Sequence, residues 1–144
     1  MARLTIPLTI DEWNERGKEY LPGRLGIEIL TVGPDEVRAR MRVERSVCAW
    51  NGFLHAGAVV SLADTCCGYA TVRNLPADAE GFTTIELKSN FVGTTLEGDV
   101  NCVATPIHRG RTTQVWDAEV RAATSGKAIA RFRCTQMILR KKES

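Results

Sequence analysis

The sequence predicts an α+β fold in which one curved antiparallel sheet wraps around a single long helix. Three observations predict it. From Gly57 to Asn74 the chain is apolar or small on nearly every side, so a helix there must be covered on every side. Two strand-like segments precede this run and four follow it, joined by short turns. No repeat, linker or low-complexity tract divides the 144 residues, so residues 1–144 are read as one domain.

The elements follow in order. "TIDEWNERGKEYLPG" opens with Thr9 as an N-cap and puts Asp11 and Glu12 in the first turn. It predicts a short amphipathic helix over about residues 9–21, stopped by Pro22-Gly23. "LGIEILTVGPDEVRARMRVER" predicts a hairpin turning at Gly33-Pro34-Asp35. Within it, residues 37–43 alternate apolar and basic, so one face is buried and the other wet. The central helix spans about residues 57–74, and Leu75-Pro76 with the polar "ADAEG" ends it. Strands are expected over 82–92, 98–107, 110–124 and 126–140. In the last of them Ala130, Phe132 and Cys134 alternate with Arg131 and Arg133.

Composition excludes several classes. Hydrophobic residues make up 44% and charged residues 25%, ordinary values for a globular domain. A chain of this length buries roughly 70% of the surface its unfolded form exposes, so it needs no metal or disulfide staple. The net charge of +2 and the scatter of basic residues outside 140–142 give no footing for a nucleic-acid partner. Five cysteines without a Cys-x-x-Cys pair, and only two histidines, argue against a structural zinc. They read as reduced thiols in a cytoplasmic protein. "MARLTIPLTIDEW" is broken by Pro7 and Asp11 and does not form a signal peptide. No apolar run reaches the roughly 20 residues of a membrane span, so no membrane partner is expected.

One residue is out of place. Asp64 is a lone carboxylate inside the most apolar segment of the chain. Its polar companions at helical spacing are Ser61, Thr65 and Gly68, a thin strip without another charge. Burying a carboxylate without partners costs several kcal/mol. The strip therefore touches water, or Asp64 sits in a cleft. His55-Ala56-Gly57 enters the same helix. Unpaired N–H groups there, at the positive end of the helix dipole, suit a developing oxyanion. Asp64 lies about 12 Å further along the axis at 1.5 Å per residue. A carboxylate from a neighbouring subunit's helix would solve that geometry.

The pattern "N-G-x-x-H-x-G-x-x-x-S-L-A-D-T", with "TTIELKSNFV", "GDVNCVATPIHRGRTT" and "GKAIARFRCTQM" after it, resembles the hotdog-fold acyl-CoA thioesterases of the phenylacetate-degradation and 4-hydroxybenzoyl-CoA type. The resemblance covers roughly residues 25 to 140. It implies a hotdog fold, hydrolysis of an acyl-CoA thioester without a cofactor, a homodimer with two interface sites and usually a homotetramer. By position it implies that Asp64 activates water, that the Ala56 N–H polarises the thioester carbonyl, that His55 and Asn51 position thioester or water, and that Thr84 orients water. It also implies a phosphate contact near the turn at 108–111, where Arg109 and Arg111 are the candidate donors; Gly57 and Ser89 are further candidates for substrate contact. The sequence departs from the family's His-Gly-Gly at Ala56, where a backbone donor survives if φ is negative.

Other residues have plainer readings. Cys66 and Cys67 lack a basic partner and read as core. Trp50 and Phe53 flank the site and are candidates to line an acyl pocket. Trp116 reads as packing between subunits, and Glu86 as outward or at an interface. Lys88 is a further candidate for nucleotide contact. Two other functions fit the fold: an acyl-CoA-binding protein without turnover, and an acyl-CoA hydratase or dehydratase, which needs a carboxylate and histidine paired on the substrate.

Overall fold

The computed structural model describes residues 4–142. Met1–Arg3 and Glu143–Ser144 lie outside the described residues, and with them the ends of the predicted domain and the start of the N-terminal stretch read for a signal peptide. Among the described residues, six strands form one antiparallel sheet. They are β1 (Glu28–Val32), β2 (Val37–Arg42), β3 (Ala79–Phe91), β4 (Asp99–Arg109), β5 (Thr113–Ala122) and β6 (Ala128–Arg140). Their spatial order is β1-β2-β4-β5-β6-β3, so β1 and β3 are the edges. Helix α1 (Ile10–Gly17) and the one-turn α2 (Leu21–Arg24) precede the sheet, and α3 (Ala56–Arg73) lies against it.

Period-two alternation builds the inner face of the sheet. In β2, Val37, Ala39 and Met41 are fully buried while Arg38, Arg40 and Arg42 point to water. Val100, Cys102 and Ala104 of β4, Trp116 and Val120 of β5, and Phe132 and Cys134 of β6 continue that face. Helix α3 covers it with Val59, Leu62, Ala63, Cys66, Cys67 and Ala70. Leu62 has no exposure at all, and leaving water contributes about 1.5–3 kcal/mol for such a side chain. The five cysteines are free thiols, four of them buried here.

Several expectations are corrected. The first helix ends at Gly17 instead of near residue 21, with Thr9 as its cap accepting from the Glu12 N–H. Pro22 then starts a new helical turn, because proline suits the first turn of a helix, where its missing N–H costs nothing. The central helix begins one residue early, at Ala56, and Asn74 caps its end. Strand β3 starts at Ala79 instead of 82: Ala79 and Gly81 pair with Arg140 and Leu139, and both are buried despite their polar neighbours. Strand β5 is shorter than predicted and β4 longer, since the turn between them tightens around Gly110 and Thr113. Trp116 packs inside its own chain, fully buried, with its indole N–H donating to Gln114 Oε1 at 2.9 Å. It is therefore a core residue and not a contact between subunits.

Candidate active site

Asp64 lies half-buried on α3 and lines an open cleft of about 360 Å³. Trp13, Thr65, Gly68, Tyr69, Val72 and Phe82 make most of the remaining wall. No other carboxylate among the described residues lines it. Burial pushes the Asp64 carboxyl above its ordinary range, opposed by the hydroxyl of Thr84. Gly68 gives the cleft part of its shape. A Cβ there would stand 3.3 Å from the Phe82 ring, so glycine lets strand β3 bring that ring close against the helix.

Thr84 faces α3 because it keeps the parity of Phe82: the two pair in unbroken register with Gln136 and Ile138, both buried, on β6. The register against β6 shifts between Thr84 and Glu86, and Ile85 is the extra residue. Thr84 Oγ1 lies 3.5 Å from Asp64 Oδ1 and 2.7 Å from Gln136 Oε1. A hydroxyl has one proton, and the nearer oxygen takes it in this arrangement. Rotating the fully buried Gln136 amide turns it into the donor and frees the Thr84 proton for Asp64. Gln136 thus positions Thr84, a role the sequence reading missed. The signal was there: position 136 continues the inward parity of Ala130, Phe132 and Cys134, and a polar residue on a buried face needs a reason.

The other half of the site is the start of α3. His55 is its N-cap, and Nδ1 of its ring accepts from the Gly57 N–H at 2.7 Å. An accepting Nδ1 leaves the proton of a neutral ring on Nε2, which becomes a free donor. The Ala58 and Val59 N–H groups turn back to the His55 carbonyl at 3.0 and 3.2 Å. The Ala56 N–H has no hydrogen-bond partner among the described residues. No non-glycine residue among them has positive φ, so Ala56 holds an ordinary backbone conformation. Gly57 has a positional reason. A Cβ there would come within 2.9 Å of His55 Nδ1 and displace the ring that caps the helix. Gly57→Ala is expected to lower stability by about 0.5–2 kcal/mol, the usual cost of losing a cap, and chemical denaturation would measure it.

Within one chain these halves do not meet. Ala56 and Asp64 are about 12 Å apart along the helix axis at 1.5 Å per residue. The His55 Nδ1 is taken by the helix start, and within one chain the ring is not paired with Asp64. Asn51 Oδ1 accepts from the Phe53 N–H at 3.2 Å and shapes the turn before the helix.

A model of the thioesterase superfamily matches residues 51–129, a stretch that holds both halves. The chain belongs to the thioesterase superfamily. It is a thioester hydrolase with the hotdog fold. It is 30% identical over 135 residues to the 1,4-dihydroxy-2-naphthoyl-CoA hydrolase of Escherichia coli, covering 92% of this chain and 96% of that one. It is 29% identical over 119 residues to the enzyme of the same name from Listeria monocytogenes, covering 83% and 95%. A crystal structure of a thioesterase from Haemophilus influenzae superposes with a TM-score of 0.87 at 28% identity, covering 95% of this chain and 94% of that one.

The remaining sequence candidates lie elsewhere. Arg109 Nη1 donates to Asp35 Oδ1 at 2.7 Å and to the Pro34 carbonyl at 2.9 Å, with Asn74 Oδ1 at 3.4 Å. It ties the β1–β2 turn to the end of α3. Arg111, two residues on in the turn between β4 and β5, is exposed and makes no ion pair among the described residues. If Arg111 supplies a phosphate contact, Arg111→Ala should raise KM several-fold at constant kcat, whereas Arg109→Ala should lower thermal stability with little change in KM. Steady-state kinetics with melting curves separates the two. The Ser89 hydroxyl is buried without a partner among the described residues, and Glu86 is exposed on β3. Lys88 borders a larger trough of about 510 Å³ on the outer sheet face. Two of the charges there pair with each other: Arg133 grips Asp117 with hydrogen bonds of 2.5 and 2.9 Å. No helix among the described residues is long and apolar enough to cross a membrane.

Proposed function

We propose that this thioesterase hydrolyses acyl-CoA thioesters, aryl-CoA among them, at two sites in a homodimer of the phenylacetate-degradation type. The observation that carries the reading is Asp64, a half-buried carboxylate in a largely apolar cleft beside the hydroxyl of Thr84, with Arg16 as the other charged residue of the lining. An ionised carboxylate there accepts a proton from water as the water attacks the thioester carbonyl. The charge that develops on the carbonyl oxygen goes to the Ala56 N–H of the partner's α3, with the positive end of the helix dipole behind it. The Nε2–H of the partner's His55 is a second donor at that end. The thiolate of CoA is a good leaving group and needs no strong general acid. No cofactor takes part, since CoA arrives with the substrate.

Strand β3 supports the dimer. It is a 13-residue edge strand; the Leu4 N–H donates to the Glu80 carbonyl near its start, and the length beyond is open to pairing by another strand. Ile85, Leu87 and Phe91 on it are each more than two-fifths exposed. A second copy pairing along β3 covers them and sets two α3 helices antiparallel, bringing each Asp64 to the partner's helix start. Two dimers associating into a tetramer and Arg111 touching the CoA phosphates complete the reading. Five free thiols suit the cytoplasm.

The test is release of free thiol from a panel of acetyl-, hexanoyl-, benzoyl- and phenylacetyl-CoA. Turnover of at least one ester at rates typical of enzymes, on the order of 1–10³ s⁻¹, is expected. Tight binding of these esters with none of them hydrolysed would make the protein an acyl-CoA-binding module instead.

A further inference from the structure

Trp50 is fully exposed, and it sits on a turn held by several backbone hydrogen bonds. The Ala49 N–H donates to the Phe53 carbonyl at 2.7 Å, the Gly52 N–H to the Ala49 carbonyl at 2.9 Å and the His55 N–H to the Val47 carbonyl at 3.0 Å. Cys48 and Leu54 bridge across its base. Gly52 takes φ 91°, a left-handed conformation that glycine adopts at little cost. The Asn51 side chain accepts from the Phe53 N–H. An ordered turn thus holds an indole entirely in water, with the ring of Phe53 also 43% exposed. Neither ring lines the Asp64 cleft of its own chain.

We infer that Trp50 closes the acyl pocket of the partner subunit and sets which acyl groups that subunit accepts. The inference rests on the dimer reading above. Pairing the Ala56 N–H of one chain with Asp64 of the other fixes an antiparallel register between the two α3 helices. Residues that precede Ala56 then lie beyond the partner's Asp64, toward the Gly68 and Val72 end of its cleft. That end is walled by the rings of Trp13, Tyr69 and Phe82 and stands open to solvent in the single chain. Trp13 and Tyr69 already lie ring against ring at 5.3 Å. A planar apolar acyl group entering there finds aromatic walls on its own side and lacks a cover. The partner's Trp50 supplies the cover, with Phe53 behind it. A large ring on a rigid turn does this at low entropic cost.

The experiment compares wild type, Trp50→Ala and Trp50→Phe on benzoyl-CoA and acetyl-CoA. Trp50→Ala is expected to lower kcat/KM for benzoyl-CoA by at least about tenfold, the scale on which an apolar pocket discriminates, and to leave acetyl-CoA within about twofold. Trp50→Phe should keep most of the benzoyl-CoA activity. Equal losses on both esters would place Trp50 on the CoA moiety they share, and no loss on either would leave it without a role; both results overturn the inference. A second arm mixes the Trp50→Ala chain with an excess of Asp64→Asn chain. Wild-type selectivity is expected, because the working site then joins Asp64 of one chain to Trp50 of the other. Retained Trp50→Ala selectivity would put Trp50 on its own chain's site. If the Asp64→Asn protein alone hydrolyses both esters at the wild-type rate, the general-base reading fails instead, and the selectivity of the Trp50→Ala homodimer still tests the role of the indole.

Discussion

Replacing Asp64 with Asn is expected to lower kcat by about 10²–10⁴-fold, the contribution of a positioned general base, while making the folded protein more stable. The two effects share a cause. The cleft desolvates the carboxylate and raises its pKa, and the Thr84 hydroxyl only partly opposes this. A folded-state pKa above the unfolded value means that the native state binds the proton more tightly. Stability is therefore lost, not gained, as pH rises from the unfolded pKa, about 3.9 for Asp, through the raised folded one. Above that window the ionised group costs stability in full, and an amide of the same shape does not. Melting curves at neutral pH should show the Asp64→Asn protein unfolding at a higher temperature than wild type. The same shift sets the acid limb of the kcat/KM profile above the ordinary carboxylate range, since activity needs the ionised form. A variant that is both active and less stable would contradict the placement of this residue.

The second large effect comes from removing one hydrogen atom. Ala56 is the first residue of α3, and its N–H has no partner among the described residues. Proline is well tolerated at that position because no intrahelical bond is lost. It also requires an extended residue before it, and His55 has φ −69° and ψ 134°. Ala56→Pro should therefore fold with α3 intact and with the His55 cap on Gly57 in place. It lacks only the donor assigned to the oxyanion. The expected loss in kcat is about 10²–10³-fold, or about 2.7–4 kcal/mol of transition-state stabilisation. Circular dichroism checks the fold, and kinetics on the best ester of the panel reads the loss. Near-wild-type turnover in a folded Ala56→Pro protein would move the oxyanion site elsewhere.

Much of this was legible in the sequence for physical reasons. A helix that is apolar all round has to be wrapped, and alternating strands after it have to do the wrapping; α3 and the sheet follow from that. Asp64 stood out because a charge in such a helix needs an explanation. The apolar run placed His55 at the entry to α3, but its role as N-cap came from the structure, where the helix starts at Ala56 and not Gly57. What escaped depended on residues far apart in the chain. Thr84 meets Gln136 across 52 positions, and only the pairing of β3 with β6 sets the two side by side near Asp64. Arg109 is drawn to Asp35, 74 positions away, in a turn that local patterns describe only as a turn. Asn51 has a backbone partner two residues on, which spacing to His55 could not reveal. Trp13 and Phe82, from α1 and β3, line one cleft with α3, and neither stretch carried a mark of it. Trp116 shows the limit of alternation alone. Parity placed it on one face of β5, but only the packed sheet decides that this face is core.

The central claim is that one site is made by two chains, Asp64 from one and the Ala56 N–H from the other. Mixing equal amounts of Asp64→Asn and Ala56→Pro chains, each nearly inactive alone, tests it most directly. Random pairing makes half of the dimers mixed, and each mixed dimer carries one intact site and one doubly damaged site. Activity should recover to about a quarter of wild type after subunit exchange. A mixture that exchanges subunits, as shown by native mass spectrometry, yet stays as inactive as its components would contradict the claim.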